Sequence, residues 1–178
     1  ILEIEKIAKA KKTVVDIGIR LNPNTDAKTL SQISTGKKEN KFGVTEEDFY
    51  KLVTFVKNSK YIDLKCLSVH IGSQILNHKP YKKMLDVVNR IIKKSHYNFD
   101  FIDLGGGMGI SYDKKSKKLN YKEYNTAINK FLKKNNSKII FEPGRSIVGN
   151  IGVLISRVIY IKETKSKNFI ILDAAMND

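Results

Sequence analysis

The sequence is poor in cysteine, tryptophan and proline, with one, none and three of them in 178 residues. The single cysteine, Cys66, excludes an internal disulfide and a cysteine-rich metal site, and it is typical of a reducing compartment. No apolar run approaches the roughly 20 residues of a membrane-spanning helix, and no signal peptide precedes the first helical pattern. We therefore expect a cytoplasmic protein without a membrane partner. Because Ile1 already belongs to a helical pattern and no methionine precedes it, we also expect an internal segment of a longer protein.

Histidine is scarce as well, with three residues in the chain. His78 and His96 lie among lysines, where solvated side chains are the ordinary outcome. His70 is the one histidine at the end of a predicted strand, and no cluster has the spacing of metal ligands. We therefore predict no metal site.

Basic residues strongly outnumber acidic ones, 33 against 18, for a net charge of +15. Four of the basic residues are arginines, and the lysines are dispersed through all helices and loops. A nucleic-acid interface would instead gather them into one stripe with interleaved aromatic side chains. The pattern favours a solvated lysine-rich surface and no specific nucleic-acid partner.

The hydrophobic pattern alternates between strand-like and helix-like segments as far as residue 150 and then changes. The four predicted strands are Thr13–Arg20, Leu64–Ile71, Phe99–Leu104 and Lys138–Phe141, and amphipathic helices separate them. Beyond residue 150, Gly152–Ile161 and Lys167–Ala175 are predicted to be two strands with no helix between them. The sequence therefore predicts an α/β domain over 1–150 and the beginning of an all-β domain over 151–178.

Each of the four helix-separated strands ends at a residue or turn that could bind a ligand or take part in catalysis. These ends are Arg20, His70, the glycine triplet Gly105–Gly107, and Glu142 with Arg145. Because the carboxyl ends of parallel strands lie on one face of a β/α sheet, we expect these residues to converge.

The glycine triplet is a candidate anion site, since three residues without Cβ atoms allow backbone N–H groups to approach a phosphate. A tight turn without a ligand is an equally good interpretation of the triplet alone. The spacing does not fit the dinucleotide fingerprint or the P-loop, because Gly-x-Gly-x-x-Gly would require glycine at Ile110 or Tyr112.

The other candidates also have structural alternatives. His70 could be a histidine of the core, Ser73 an ordinary turn residue, and Arg20 a member of a surface ion pair. Glu142 could cap a loop or pair with Arg145. Cys66 is interpreted as packing within a strand.

Four motifs in this order resemble the pyridoxal-phosphate decarboxylases of the alanine-racemase barrel type, and among these most closely the diaminopimelate decarboxylases. The resemblance covers the whole chain and implies the C-terminal half of a TIM-type (β/α)8 barrel followed by the first strands of an all-β domain. The motifs are Ile33–Gly36 with Glu39–Gly43, His70–Ile75, Leu104–Gly107 and Glu142–Val148. The closing segment Leu172–Asp178 fits the same family.

The resemblance implies a role for each candidate residue around pyridoxal 5'-phosphate. Gly106 and Gly107 would hold the phosphate, and Ser73 with the corner Glu142–Arg145, including Pro143 and Gly144, would complete its binding site. Glu142 would bond the pyridine nitrogen and His70 would stack on the ring, which makes these two the catalytic candidates. Arg145 would bind the substrate carboxylate or the phosphate. The long loop Asn22–Gly43 would cover the substrate.

The resemblance also shows what this chain lacks. The lysine that carries the cofactor in this family lies in a Tyr-Ala-x-Lys-Ala-Asn context that is absent here. We therefore expect the segment alone to be inactive and the full-length protein to be a homodimeric enzyme acting on a small amino acid. The alternatives are an ornithine- or arginine-type decarboxylase, a racemase on the same barrel, and a non-catalytic pyridoxal-phosphate-binding barrel.

Overall fold

The computed structural model describes residues 1–25, 41–113 and 118–175. Helices and strands alternate over most of the chain. The helices are α1 (Leu2–Ala10), α2 (Glu46–Asn58), α3 (His78–Ser95), α4 (Tyr121–Leu132) and α5 (Arg145–Val148). The strands are β1 (Val15–Leu21), β2 (Ile62–Val69), β3 (Phe101–Asp103), β4 (Lys138–Ile140), β5 (Val158–Lys162) and β6 (Phe169–Leu172).

The first four strands form a parallel sheet in chain order, β1-β2-β3-β4. Consecutive parallel strands with a helix in every connection are the repeating unit of a β/α barrel. Ile17 of β1 pairs with Leu64, whereas Gly18 pairs with Cys66, so Lys65 is an extra residue in β2. The predicted α/β class is confirmed.

The core lies between the sheet and its helices. Thr45 begins α2 by accepting the Asp48 N–H on its side chain, which leaves Phe49 and Val53 on the buried face. The core is built from apolar side chains at strand period on the sheet and at helix period on the helices. Its fully buried members include Leu21, Leu64, Leu67, Val69, Tyr81, Met84, Ile91, Ile102 and Leu104.

The opposite face of the sheet is polar. In β2 the buried Leu67 and Val69 alternate with the half-buried Ser68 and, just past the strand, His70. Arg20 in β1 and Asp103 in β3 occupy the corresponding positions beside buried neighbours. We call the side that carries Arg20, Ser68, His70 and Asp103 the polar face.

The chain divides into two units, Ile1–Ile147 and Val148–Asp178, close to the division predicted after residue 150. In the second unit β5 and β6 form an antiparallel hairpin. The prediction of a strand from Gly152 is wrong, because β5 begins at Val158. The hydrogen bonds between Arg157 and Asp173 are the last ones of the β5–β6 ladder. Within the described part of the chain, the residues before Arg157 therefore lack the partner strand that a β-strand needs. The roles predicted for the two units stay predictions.

Most of the predicted substrate loop Asn22–Gly43 lies outside the described residues. Its two ends are joined, since the Asn22 N–H donates to the Val44 carbonyl and the Val44 N–H donates to the Arg20 carbonyl. In the part of the chain that the structure describes, the helices are all too short or too polar to cross a lipid bilayer.

Candidate functional site: a glycine turn at the strand ends

The glycine triplet follows β3 and is packed tightly against two other loops. A Cβ on Gly106 would lie 2.0 Å from the Glu142 carbonyl oxygen, and one on Gly107 would lie 2.1 Å from the Gly72 carbonyl oxygen. Gly105 and Gly107 also have positive φ angles, +64° and +83°. Any side chain here would push apart the loops that follow β2, β3 and β4. We call Gly105–Gly107 the glycine turn.

The carbonyl groups of the glycine turn fix it to its surroundings. The Gly105 oxygen accepts from the Glu142 N–H at 2.9 Å, and the Gly107 oxygen accepts from the Ile75 N–H at 2.9 Å. The Gly106 oxygen accepts from the hydroxyl of Tyr81 in α3 at 3.1 Å. Each carbonyl is therefore bound by a different element, which holds the turn in one conformation.

The three N–H groups of the turn differ in whether they already donate a hydrogen bond. The Gly105 N–H donates to Asp103 Oδ1 at 2.8 Å, and the Gly106 N–H donates to His70 Nδ1 at 3.3 Å. Among the described residues, the Gly107 N–H has no hydrogen-bond acceptor. Gly107 thus presents the one main-chain donor of the turn that can take an anion without losing a protein bond, and the phosphate role predicted for Gly106 stays a prediction.

His70 is half-buried on the polar face, directly against the turn. Burial lowers the pKa of His70 below its ordinary value, and the charge of Arg20 lowers it further. The carboxylates of Glu142 and Asp103 oppose this shift. A neutral ring agrees with the geometry, because Nδ1 accepts a hydrogen bond from the Gly106 N–H and therefore carries no proton itself.

Asp103 is a site residue that the sequence reasoning missed. Its carboxylate accepts from the Gly105 N–H and, at 3.4 Å, from the Ser68 hydroxyl of β2. An aspartate that bonds the backbone two residues further on is a common turn device, so its position before Gly105 was an available signal. Asp103 joins β2 to the glycine turn.

The corner after β4 lies beside the turn. A Cβ on Gly106 would also meet Pro143 Cα at 3.7 Å, so the Glu142–Pro143 backbone covers the turn from one side. Glu142, Pro143 and Gly144 are exposed, and Arg145 is half-buried at the start of α5.

Arg145 contacts the loop that follows the glycine turn. Its Nη1 donates to the Tyr112 hydroxyl at 3.2 Å, and its Cζ lies 5.8 Å from the centroid of the same ring. Tyr112 was not predicted as a site residue, and nothing in the sequence around it distinguishes it. The contact places the guanidinium on the β3 side of the corner.

Ser73 is half-buried and follows Gly72, whose carbonyl meets the turn. The next residue, Gln74, has φ +58° and bonds the Ile110 backbone twice, through Nε2 to the carbonyl at 2.7 Å and through Oε1 to the N–H at 3.2 Å. These bonds clamp the loop after β2 to the loop after β3.

The structure therefore brings together the strand ends that the sequence singled out. His70 and Glu142 contact the glycine turn directly, and Arg20 acts electrostatically on His70. Cys66 lies two residues before Ser68, and burial raises the pKa of its thiol. Across the described ranges, no three His, Cys, Asp or Glu side chains lie close enough to hold a metal ion. These strand ends bring together the Gly107 N–H, which donates to none of the described atoms, the His70 imidazole and the corner that carries Glu142, and the Arg145 guanidinium follows in that corner.

A parallel β/α sheet with a glycine-rich loop at its carboxyl edge is typical of β/α-barrel proteins, whose strand-end loops frequently bind a phosphate group. The chain belongs to the pyridoxal-dependent decarboxylases, since the family model described as their pyridoxal binding domain matches residues 1–149.

Relatives of known activity agree with this membership. The chain is 41% identical over 178 residues to a diaminopimelate decarboxylase of Helicobacter pylori strain J99, covering 98% of this chain and 44% of the relative. It is 39% identical over 185 residues to the diaminopimelate decarboxylase of Zymomonas mobilis, covering 99% of this chain and 44% of the relative. The chain therefore spans less than half the length of these relatives.

A solved structure matches over the same extent. The crystal structure of Helicobacter pylori diaminopimelate decarboxylase complexed with L-lysine superposes with a TM-score of 0.83 at 39% identity, covering 99% of this chain and 46% of that one. The predicted fold, part of a TIM-type barrel followed by the first strands of a β domain, is confirmed.

Proposed function

We propose that this chain supplies the phosphate-binding and ring-binding part of a pyridoxal-phosphate-dependent decarboxylase that converts meso-2,6-diaminopimelate to L-lysine and CO2. The names of its relatives support the substrate. The observation that carries the proposal is the glycine turn, which is tied to two neighbouring loops and to α3 and leaves the Gly107 N–H as a donor. In the overall reaction one carboxylate leaves as CO2 and a proton takes its place on the same carbon.

The residues present fit the phosphate of the cofactor. The absence of Cβ atoms lets the loops after β2 and β4 close on the turn, and the Gly107 N–H is available to an anion. The remaining donors are supplied by Ser73, which follows Gly72, and by the Gly144–Arg145 backbone, which follows Pro143. Gly72 and Pro143 both lie against the turn. Arg145 adds a permanent positive charge for the phosphate or for the substrate carboxylate.

Glu142 and His70 fit the pyridine ring. When bound, the cofactor supplies an electron sink for the pair of electrons left by departing CO2. The Glu142 carboxylate would hold a proton on the ring nitrogen, and this proton maintains the sink. A neutral His70 can stack on the ring face without adding a repelling charge.

The lysine that carries the cofactor has no counterpart in this chain. We therefore propose that the isolated chain is inactive, and that the lysine and the remaining substrate contacts belong to other parts of the full-length protein. We further propose that the full-length protein is a cytoplasmic homodimer without a specific nucleic-acid partner. The single cysteine supports a reducing compartment and the dispersed lysines support the absence of a specific nucleic-acid partner, and a monomer by light scattering would contradict the dimer.

The test uses the full-length protein that contains this chain. Addition of pyridoxal 5'-phosphate should give the visible absorbance of a lysine-bound cofactor, and CO2 release should be fastest from meso-2,6-diaminopimelate. Faster CO2 release from ornithine or arginine would instead identify the enzyme as an ornithine- or arginine-type decarboxylase. Absence of an absorbance band would overturn the cofactor assignment.

The Glu142→Ala variant tests the role of the carboxylate. We expect CO2 release to fall on the order of 10²-fold, because the ring nitrogen would lose its proton partner. Glu3→Gln, at an exposed position of α1, is the matched control and should keep wild-type activity. A Glu142→Ala enzyme with a near wild-type rate would refute the role.

A further inference from the structure

Tyr81 contacts the glycine turn from the helix side. Its side chain is fully buried, with 0% exposure, in the layer that α3 packs against the sheet. Its hydroxyl donates a hydrogen bond to the Gly106 carbonyl oxygen at 3.1 Å. Burial raises the pKa of this hydroxyl, so it remains a donor.

The bond from Tyr81 determines where the next N–H points. The Gly106–Gly107 peptide is trans, and in a trans peptide the C=O and the N–H point in opposite directions. Because the Gly106 C=O is directed at α3, the Gly107 N–H is directed away from the helix layer. This is the donor without an acceptor among the described residues.

Glycine peptides rotate easily, so this orientation needs a support. Neither Gly106 nor Gly107 has a Cβ to oppose rotation, and Gly107 already has a positive φ. A rotated peptide would present its carbonyl oxygen to the anion instead of its N–H, which would repel a phosphate. In the rotated state the Gly106 carbonyl would no longer accept the hydrogen bond from the Tyr81 hydroxyl. The loss of this bond disfavours the rotation.

We propose that Tyr81 is a positioning residue for the cofactor phosphate, holding the Gly106–Gly107 peptide with its N–H toward the anion. The inference rests on the proposed function. Tyr81 does not touch the phosphate and acts through the peptide alone. It therefore sets how strongly the phosphate group, and not the pyridine ring, is bound.

A neighbouring tyrosine provides a matched control. Tyr124 of α4 is also buried, at 5% exposure, and its ring centroid lies 4.6 Å from that of Tyr81. Its hydroxyl is buried without a hydrogen-bond partner in the described part of the chain. Tyr81→Phe and Tyr124→Phe thus remove the same atom from adjacent rings, and only the first removes a bond to the turn.

The experiment compares binding of pyridoxal 5'-phosphate with binding of pyridoxal, which lacks the phosphate, in the full-length protein. We expect Tyr81→Phe to weaken pyridoxal 5'-phosphate binding about three- to tenfold and to leave pyridoxal binding unchanged. Tyr124→Phe should change neither. Replacement of Tyr81 by 4-aminophenylalanine keeps a donor at the same ring position and should restore the affinity, which also provides a test if the phenylalanine variant does not fold.

Four outcomes would overturn the inference. Unchanged pyridoxal 5'-phosphate affinity in Tyr81→Phe, or an equal loss for both ligands, would show that the hydroxyl does not position a phosphate donor. A 4-aminophenylalanine protein that binds pyridoxal but has lost the preference for the phosphate would do the same. If the wild-type protein shows no preference for the phosphorylated ligand, the proposed phosphate site itself is wrong, and the inference fails with it.

Discussion

Gly106 is the residue with the least room for change. Replacing it with alanine would place a methyl group 2.0 Å from the Glu142 carbonyl, a backbone atom that can yield only if a whole loop shifts. We expect Gly106→Ala to lower the free energy of unfolding by about 1–3 kcal/mol and to abolish saturable cofactor binding. Urea denaturation and cofactor titration of the full-length protein measure the two effects.

The control for this substitution is Gly152→Ala. An added Cβ at Gly152 meets no atom within 4 Å, so both measurements should match the wild type. A Gly106→Ala protein that behaves like Gly152→Ala would contradict the packing described for the glycine turn.

His70 gives a prediction about pH. Because its pKa is lower in the folded state, the unfolded chain takes up a proton first as the pH falls through about 6.5. The stability contributed by neutral His70 is therefore complete above this value and is lost as the pH falls through the folded pKa. We expect the unfolding free energy of the full-length protein to drop between pH 7.5 and 5.5, and to drop less in His70→Asn.

His96→Asn is the matched control for the pH experiment. His96 is exposed and has φ +47°, a left-handed conformation that asparagine tolerates. Its pH profile should follow the wild type. Identical profiles for His70→Asn and the wild type would remove His70 as the source of the pH dependence.

The residues that could be predicted from sequence are those at strand ends. His70, the glycine turn and Glu142 are readable because strand periodicity locates the carboxyl edge, where they then meet. Asp103, two residues before Gly105, could have been recognised as a turn residue, whereas Tyr81 bonds a backbone atom 25 residues away. An isolated tyrosine in a helix pattern is indistinguishable from core packing, so its bond to Gly106 required coordinates.

At the scale of elements, α2 and α3 are joined by one well-formed ion pair. Arg90 donates two bonds to Glu46, at 2.6 and 2.7 Å, and these hold the pKa of Glu46 below its ordinary value. Arg90→Lys keeps the charge but loses the second bond. We expect a decrease of about 0.3–1 kcal/mol in unfolding free energy, the range for partly exposed pairs, measured by urea denaturation.

Lys51→Gln serves as the comparison for the Arg90 variant. Lys51 pairs with Glu47 at 2.8 Å on the exposed surface of α2 alone, so it joins no two elements. Its loss should lower the unfolding free energy less than Arg90→Lys does, because solvent screens an exposed pair within one helix. A larger cost for Lys51→Gln than for Arg90→Lys would argue against the cross-helix pair as a stabilising contact.

The order of the elements was predictable because buried parallel strands and amphipathic helices have different hydrophobic periods. The first and last residues of the elements were less predictable. The strand predicted from Thr13 begins at Val15, and the one predicted over Phe99–Leu104 is only Phe101–Asp103. The clearest error, the strand from Gly152, arose because β-branched residues satisfy a strand pattern whether or not a partner strand is present.

At the scale of the whole molecule, the exposed apolar surface predicts aggregation. Val153 and Ile155 are 90% and 91% exposed, every residue of β5 and β6 is exposed, and β1 and β4 form the edges of the described sheet. We expect the isolated 178-residue chain to form large particles by light scattering. Salt should increase their size, because it screens the repulsion of a net charge of +15.

This outcome has a direct contradiction. A monomeric chain with a sharp cooperative thermal transition would show that the open edges and exposed side chains are tolerated. The full-length protein, in which further strands can pair with these edges, should give such a transition under the same conditions.

The glycine turn is held partly by main-chain groups, those of Glu142 and Ile75, and this has a consequence for how such proteins diverge. A bond between two peptide groups is indifferent to the side chains of the residues that make it. The loop positions that bind the turn through the main chain can therefore change their side chains while the turn keeps its shape, provided that the glycines and the side-chain partners Asp103, His70 and Tyr81 persist. Mutagenesis aimed at the affinity for the cofactor can therefore target residues of the helix layer behind the turn, as well as residues on the polar face.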